Sequence, residues 1–308
     1  MRAIPVRWSI AFATLTLLAA FRPGLAADCS SSRTNLPSYA ELAKLFLYDS
    51  TAPLAVHVVS TTDDAGVTVQ SIEFAIEPGA APCSATLAIP KRSAQFPAVV
   101  WLGSGDKDWA PYAIEFSKRG AISLALDNCG NAPVSDAKGF YRNEIRAVIA
   151  IRRGLDLLDA RKDVDRKRIA FVGHSGGAML GADAVAVDGR FNAAVFEGGL
   201  QGFSYHICSS PHPYAVGIRR QLGAALPQFI ATLAPADSIL YVGHEAPATL
   251  LFQSARHDQG VPSSDAQAFF DAASEPKQII WYDTGHQMKL PQVDRDRTEF
   301  LKKQLDLK

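Results

Sequence analysis

Apolar and polar residues alternate in one part of this chain and form continuous apolar runs in another. Between residues 67 and 76, Ile72, Phe74 and Ile76 alternate with polar neighbours, which is typical of a strand with one solvated face. A second strand is predicted over residues 84–89, joined to the first by a turn-forming loop at 77–82. The runs at 98–102 and 121–126 are continuously apolar, which is typical of strands covered by helices on both faces.

Helical periodicity separates the buried runs. Val148, Ile151, Leu155 and Leu158 recur at helical spacing within residues 140–161, and a short helix is predicted near residues 39–45. Further strand-like runs occur at 169–172, 193–196, 249–253 and 278–282. This alternation predicts an α/β fold with a mostly parallel central sheet, flanking helices and right-handed crossovers.

The alternation stops between the runs at 193–196 and 249–253. Residues 199–245 are rich in aromatic residues and contain Pro211, Pro213 and Pro227, which predicts a small helical insertion. We expect this insertion to lie over the carboxyl edge of the sheet as a cap that shapes a substrate pocket.

The amino-terminal residues have the pattern of a secretory signal peptide. Arg2 and Arg7 precede an apolar run at 10–21, and small residues follow. That run is shorter than the ~20 residues that cross a bilayer, so we expect no stable membrane anchor. The sequence predicts a signal peptide at 1–26, one domain at 27–308, and export to the periplasm or the medium.

Composition excludes one class of partner and leaves the disulfides open. The formal net charge is +0 and no basic cluster is interleaved with aromatic residues, so nucleic acid is not expected to bind; the oligomeric state stays open. The four cysteines are Cys29, Cys83, Cys129 and Cys208. An oxidising compartment allows disulfides, and four cysteines allow three pairings. We favour a disulfide between Cys129 and Cys208, because both are expected near one sheet edge. The alternative is that the cysteines are buried free thiols.

A candidate nucleophile follows the run at 169–172. The sequence Gly-His-Ser-Gly-Gly at 173–177 is a G-x-S-x-G turn between a predicted strand and a predicted helix. Such a turn forces its serine into a strained conformation, exposes the hydroxyl and aims the amides of the following helix at a developing oxyanion. Ser175 is therefore the predicted nucleophile, against the alternative of an ordinary serine in a glycine-rich turn.

A candidate acid and a candidate base follow two later strands. Asp258 comes shortly after the run at 249–253, and His286 comes shortly after the run at 278–282. Because the carboxyl ends of parallel strands meet at one edge, these side chains are expected to lie near Ser175. The hypothesis is that His286 is the general base and that Asp258 orients it, although a turn-capping role is the alternative for Asp258.

Several motifs together resemble the α/β-hydrolase superfamily, and within it the dienelactone hydrolases and the prolyl-oligopeptidase-like serine esterases. They are the segment 163–169, the serine turn at 173–177, the segment 258–262, and Gly285 with His286. The resemblance extends from about residue 67 to the end and includes the order Ser, Asp, His. Dienelactone hydrolases have a cysteine where this chain has Ser175, so their lactone specificity is not carried over. In some relatives the acid lies one strand earlier, which makes Glu197 the rival to Asp258.

The resemblance also implies an oxyanion hole and a reaction. The backbone amides of Gly176 and Ser104 are the expected donors. The implied function is hydrolysis of a small-molecule carboxylic ester through an acyl-enzyme, with no cofactor. The alternatives are a peptidase or amidase, and a binding protein with an inactive hydrolase fold.

Other residues near the motifs receive no catalytic role. His174 and His257 are expected to point away from the chemistry. His206, Cys208 and His212 lack a fourth ligand at a recognised spacing, so no metal is predicted. The aromatic residues considered for an acyl pocket, with core packing as the alternative, are Trp109, Phe203, Tyr205 and Tyr214.

Overall fold

The computed structural model describes residues 29, 32, 34–92, 94–103, 108–127, 129 and 136–307. These residues form a nine-stranded sheet with the spatial order β1-β2-β3-β5-β4-β6-β7-β8-β9. The strands are β1 (His57–Asp64), β2 (Val67–Phe74), β3 (Cys83–Pro90), β4 (Phe96–Leu102), β5 (Ile122–Asp127), β6 (Val164–His174), β7 (Ala193–Glu197), β8 (Thr249–Ala255) and β9 (Lys277–Tyr282). The predicted signal peptide at 1–26 and Ser104 lie outside the described residues.

The sheet combines an antiparallel end with a parallel centre. Strands β1, β2, β3 and β5 pair antiparallel, whereas β5, β4, β6, β7, β8 and β9 pair parallel. The predicted hairpin is therefore β2 and β3, and the prediction of a mostly parallel sheet is confirmed. Strand β1 was not predicted, because all of its residues are exposed and it has no apolar face to mark it in the sequence.

Helices cover both faces of this sheet. They are α1 (Tyr39–Leu42), α2 (Ala110–Ser117), α3 (Ala137–Asp159), α4 (Gly176–Val187), α5 (Phe203–Ser209), α6 (Pro213–Leu222), α7 (Leu226–Leu233), α8 (Ser263–Ala272) and α9 (Pro291–Gln304). Among the described residues, no single helix is long and apolar enough to cross a membrane; one bent pair, 213–236 with 238–244, meets that length and composition only when taken together.

Strand β4 shows how a continuous apolar run serves two helical layers. Val100 and Leu102 belong to the core that contains residues of α3, α4 and α8, whereas Val99 and Trp101 belong to the core that contains residues of α2 and α9. Successive side chains of a strand point to opposite faces, so every position must be apolar. All seven residues of β4 are buried accordingly.

Helices α5, α6 and α7 occupy the predicted insertion at 199–245. They have a small core of their own, which includes Ile207, Ile230 and Leu233. Phe140 and Tyr141 of α3 pack against that core. The segment is therefore anchored on the amino-terminal end of α3.

The predicted pairing of Cys129 with Cys208 is wrong. The disulfides join Cys83 to Cys129, with Cα atoms 4.7 Å apart, and Cys29 to Cys208, with Cα atoms 6.0 Å apart. Strands β3 and β5 are antiparallel neighbours that pair Ser84 with Asp127, so Cys83 and Cys129 lie side by side just beyond this pair. Cys208 lies on α5, and its disulfide attaches Cys29 to that helix.

Candidate active site

Ser175 lies in the turn between β6 and α4. Its backbone has φ 56° and ψ −120°, a conformation that costs a non-glycine residue free energy and persists only when the surroundings impose it. Its amide donates a hydrogen bond to the Glu197 carbonyl oxygen at 2.8 Å, which fixes the turn to the end of β7. The strand, the turn and the helix predicted around Ser175 are all present.

The flanking glycines allow this turn to close. A Cβ atom on Gly173 would overlap the carbonyl oxygen of Gly177, and a Cβ atom on Gly177 would overlap the carbonyl oxygen of Leu102 at the end of β4. The first turn of α4 can therefore approach both β6 and β4 only because neither glycine has a side chain. This contact places the amino terminus of α4 beside the end of β4.

The amino terminus of α4 provides a positive electrostatic environment next to Ser175. Ser175 is the residue that precedes the helix, and Gly176 is the first residue of its twelve. The dipole of a helix favours negative charge at such a position. The assignments of the Gly176 and Ser104 amides to an oxyanion hole stay predictions.

His286 is hydrogen-bonded to both Ser175 and Asp258. Its Nε2 lies 2.8 Å from the Ser175 hydroxyl oxygen, and its Nδ1 lies 2.6 Å from Asp258 Oδ2. An ionised carboxylate accepts only, so Nδ1 carries the proton and Nε2 accepts from the hydroxyl. The three side chains form one continuous chain of hydrogen bonds.

Asp258 is held by backbone amides on the side away from His286. Its Oδ1 accepts hydrogen bonds from the amides of Gly260 at 2.7 Å and Val261 at 2.8 Å. Its side chain is 2% exposed, compared with 27% for His286. The carboxylate is thus held by a turn in its own loop through Oδ1 while Oδ2 contacts His286, and its orienting role stays a prediction.

Two neighbours lie close to His286. His174 Nε2 lies 2.9 Å from the His286 carbonyl oxygen. Gly198 has φ 59°, and a Cβ atom there would lie 3.6 Å from His286 Cε1. Sequence reasoning did not find the contact of His174 with the His286 backbone, because no local pattern links residues from β6 and from the loop after β9. His257 instead forms a surface pair with Asp283.

Glu197, the rival acid, is bound to a different partner. Its Oε2 accepts a hydrogen bond from Arg297 of α9 at 2.8 Å, and the two side chains are 0% and 3% exposed. The Arg297 guanidinium also lies 5.0 Å from the Trp109 ring. The structure therefore joins Asp258 to His286 and places Glu197 in a buried ion pair behind the sheet edge.

The insertion contacts the loop that carries Asp258. Ser210 Oγ, in the connection between α5 and α6, donates a hydrogen bond to the Gly260 carbonyl oxygen at 2.8 Å. His212 Nδ1 accepts from the Tyr214 amide at 3.3 Å and so caps α6. Burial lowers the pKa of His206 to about 4, and the neighbouring charges of His212 and His286 add to the effect.

One of the residues considered for a metal site has another partner. Cys208 is in a disulfide with Cys29. Within the described parts of the chain, no cluster of three or more His, Cys, Asp or Glu side chains is arranged to hold a metal ion. Two of the aromatic candidates for an acyl pocket pack against different parts of the chain. Trp109 packs in the core beside Trp101, whereas Phe203 stacks on Phe140 with ring centroids 5.5 Å apart.

Comparison with known proteins identifies the fold. No protein-family model matches the sequence, and no curated protein matches it. Among solved structures, the chain is similar to an acetyl xylan esterase from Paenibacillus sp. R4, with a TM-score of 0.74 and 20% identity over 90% of this chain and 98% of that one. It is also similar to acetyl xylan esterase 1 from Thermoanaerobacterium sp. JW/SL YS485, with a TM-score of 0.73 and 16% identity over 89% and 98% of the two chains. A glucuronoyl esterase from Solibacter usitatus gives a TM-score of 0.59 and 14% identity over 86% and 91%.

These similarities establish architecture, because identities of this size do not carry activity from one protein to another. The chain has the α/β-hydrolase fold, as predicted.

Proposed function

We propose that the protein is an exported serine hydrolase that cleaves carboxylic esters through an acyl-enzyme intermediate. The observation that supports this most strongly is the hydrogen-bonded series Asp258, His286, Ser175, with the serine in a strained turn at a helix amino terminus. A serine hydroxyl is a poor nucleophile at neutral pH unless a base accepts its proton. Here the base is within hydrogen-bond distance before any substrate binds.

The reaction then proceeds in two halves. The Ser175 hydroxyl oxygen attacks the ester carbonyl carbon while His286 Nε2 takes the hydroxyl proton, and Asp258 stabilises the imidazolium. The amide of Gly176 stabilises the oxyanion of the tetrahedral intermediate. His286 returns the proton to the departing alcohol and leaves an acyl group on Ser175. A water molecule, deprotonated by the same imidazole, then releases the acid.

The choice of an ester as substrate is supported by the similar structures. The three compared proteins are all esterases by name, two of them acetyl xylan esterases. Esters need less activation of the leaving group than amides do, and His286 can supply the single proton that an alkoxide needs.

Export is supported by two independent features. The sequence at 1–26 has the pattern of a signal peptide, and the described residues contain two disulfides and no free cysteine. Disulfides persist in oxidising compartments and are rare in the reducing cytosol.

Turnover of matched esters and amides by the purified protein tests the proposal. Nitrophenyl acetate and butyrate are compared with the corresponding nitroanilides, with Ser175→Ala as the test variant and Ser71→Ala, an exposed serine of β2, as the control. We expect ester hydrolysis that falls by about four to six orders of magnitude in Ser175→Ala and is unchanged in Ser71→Ala. Retention of more than a few per cent of the activity in Ser175→Ala contradicts the assignment. Faster cleavage of the anilides favours an amidase, and no turnover favours a binding protein.

A further inference from the structure

The loop between α5 and α6 is fixed against the residues that hold His286. Ser210 binds the carbonyl of Gly260, and the amide of Gly260 binds Asp258 Oδ1 at 2.7 Å. A Cβ atom on Gly260 would lie 3.9 Å from His212 Cδ2 and 4.0 Å from His286 Nδ1. The two histidine rings, one from the insertion and one from the loop after β9, therefore both lie close to Gly260.

His206 of α5 lies next to His212 in this group. The ring centroids of His206 and His212 are 6.2 Å apart, and Phe203 stacks on His206 with ring centroids also 6.2 Å apart. Both His286 and Asp258 are close enough to His206 to affect its pKa electrostatically. The imidazole of His206 is thus within electrostatic range of the reacting groups, although the mechanism above does not use it.

The His206 ring is uncharged at neutral pH. Burial, followed by the charges of His212 and His286, lowers its pKa to about 4, well below its ordinary value. A neutral imidazole carries one proton on one of its two nitrogens. His206 therefore offers one donor and one acceptor and no net charge.

The surroundings of the two ring nitrogens indicate where the proton lies. Nδ1 is enclosed and has no hydrogen-bond partner. Nε2 makes no hydrogen bond to the described residues and, unlike Nδ1, is not completely enclosed. A buried N–H without an acceptor is the costlier arrangement, so the proton resides on Nε2. His206 therefore carries an N–H donor for which no described residue provides an acceptor.

We propose that His206 is a substrate-binding residue whose Nε2–H donates a hydrogen bond to a hydroxyl oxygen in the alcohol group of the bound ester. This inference rests on the proposed esterase function and adds a preference: esters with uncharged hydroxyl-bearing groups are favoured over esters of plain hydrocarbons. His206 exchanges no proton in the reaction, which distinguishes it from His286. A site that hydrogen-bonds a substrate oxygen rejects the analogue that lacks it.

A matched pair of acetates tests this preference. Glycerol monoacetate and propyl acetate have the same acyl group and differ in the hydroxyls of the alcohol, and both are followed by acid release at constant pH. We expect His206→Leu to lower kcat/KM for glycerol monoacetate by about 10- to 100-fold and for propyl acetate by less than about threefold. His206→Gln, whose amide N–H lies near the position of Nε2, should restore a measurable part of the kcat/KM preference for glycerol monoacetate over propyl acetate.

His244→Leu is the matched control, because His244 belongs to the same insertion but stacks on Tyr39 with ring centroids 3.6 Å apart. The Tyr39 hydroxyl donates a hydrogen bond to the carbonyl of Ala186. Ala186 is eleven residues after Ser175 along α4 and is therefore about 16 Å from it. This control should leave the ratio of the two rates unchanged.

Labelling of Ser175 by a fluorophosphonate, measured on every variant, separates the possible failures. A labelled His206→Leu protein with an unchanged rate ratio overturns this inference and leaves the proposed function intact. A folded wild-type protein that neither labels nor hydrolyses an ester overturns both. A labelled variant that loses the preference for glycerol monoacetate supports both.

Discussion

Replacing Glu197 with glutamine separates the two carboxylates that sequence reasoning could not fully distinguish. Glu197 and Arg297 form an ion pair with side chains 0% and 3% exposed. Removing one partner of such a pair leaves a buried charge and costs about 3–5 kcal/mol. We expect Glu197→Gln to destabilise the fold without removing the chemistry.

The size of the expected stability loss depends on the contacts that Arg297 keeps after the substitution. It retains Asp294 at 2.6 Å, and the rings of Trp109 and Tyr112 lie 5.0 and 5.2 Å from its guanidinium. These contacts favour the lower limit, about 3 kcal/mol. For a chain of this size that loss lowers Tm by about 6–12 °C. The Ser175 amide donates its hydrogen bond to the backbone carbonyl of Glu197, so this bond survives the substitution.

Denaturant unfolding and turnover per labelled site measure the two effects separately. Asp294→Asn is the control, because Asp294 binds the same arginine but is 48% exposed, and its loss should cost at most about 1 kcal/mol. We expect Glu197→Gln to be less stable, with kcat within a few-fold of the wild type. Unchanged stability together with a kcat about 10⁴-fold lower would refute the reasoning and make Glu197 the triad acid.

Four further predictions address the triad, the turn, the interior and the insertion. Asp258→Asn should lower kcat by about 10⁴-fold with Tm nearly unchanged, because the tautomer of the base is lost; a loss of stability without a loss of rate argues against it. Gly177→Ala should abolish fluorophosphonate labelling, whereas Gly189→Ala, where a Cβ meets open space, should label normally; equal labelling of both contradicts the packing argument. Burial raises the folded-state pKa of Glu245 well above its usual range, so the folded protein keeps a proton that the unfolded chain releases. The free energy of unfolding therefore falls as pH rises from the unfolded-state pKa of Glu245 to its folded-state pKa. Glu245→Gln should therefore lose less Tm than the wild type between pH 5 and pH 9, and an equal loss would exclude this residue as the cause. Cys208→Ser should lower the free energy of unfolding by about 2–4 kcal/mol in denaturant titrations, and an unchanged midpoint would show that the tether to Cys29 is energetically neutral.

The parallel part of the sheet could be predicted because its signals are local. The run at 98–102 is apolar at every position, since β4 is buried on both faces, and the glycine-flanked serine turn is encoded within five residues. Strand order at the carboxyl edge follows from general rules of α/β sheets, which is why Ser175, Asp258 and His286 could be grouped before any distance was known.

The features that were missed depend on register and long-range contact. Cys83 and Cys129 become neighbours through the antiparallel pairing of β3 with β5, and no local pattern records that pairing. The partner of Glu197 is a residue of α9, one hundred positions along the chain. Strand β1 has no buried residue, so hydrophobic periodicity could not reveal it.

The most direct test of the central claim is covalent labelling of the purified protein by a fluorophosphonate, read by intact mass and peptide mapping. The account predicts one label per molecule, on Ser175, that disappears in Ser175→Ala and in His286→Ala while both variants stay folded. A well-folded wild-type protein that takes no label, or a label that maps to another serine, would contradict the claim that Asp258, His286 and Ser175 form a working triad.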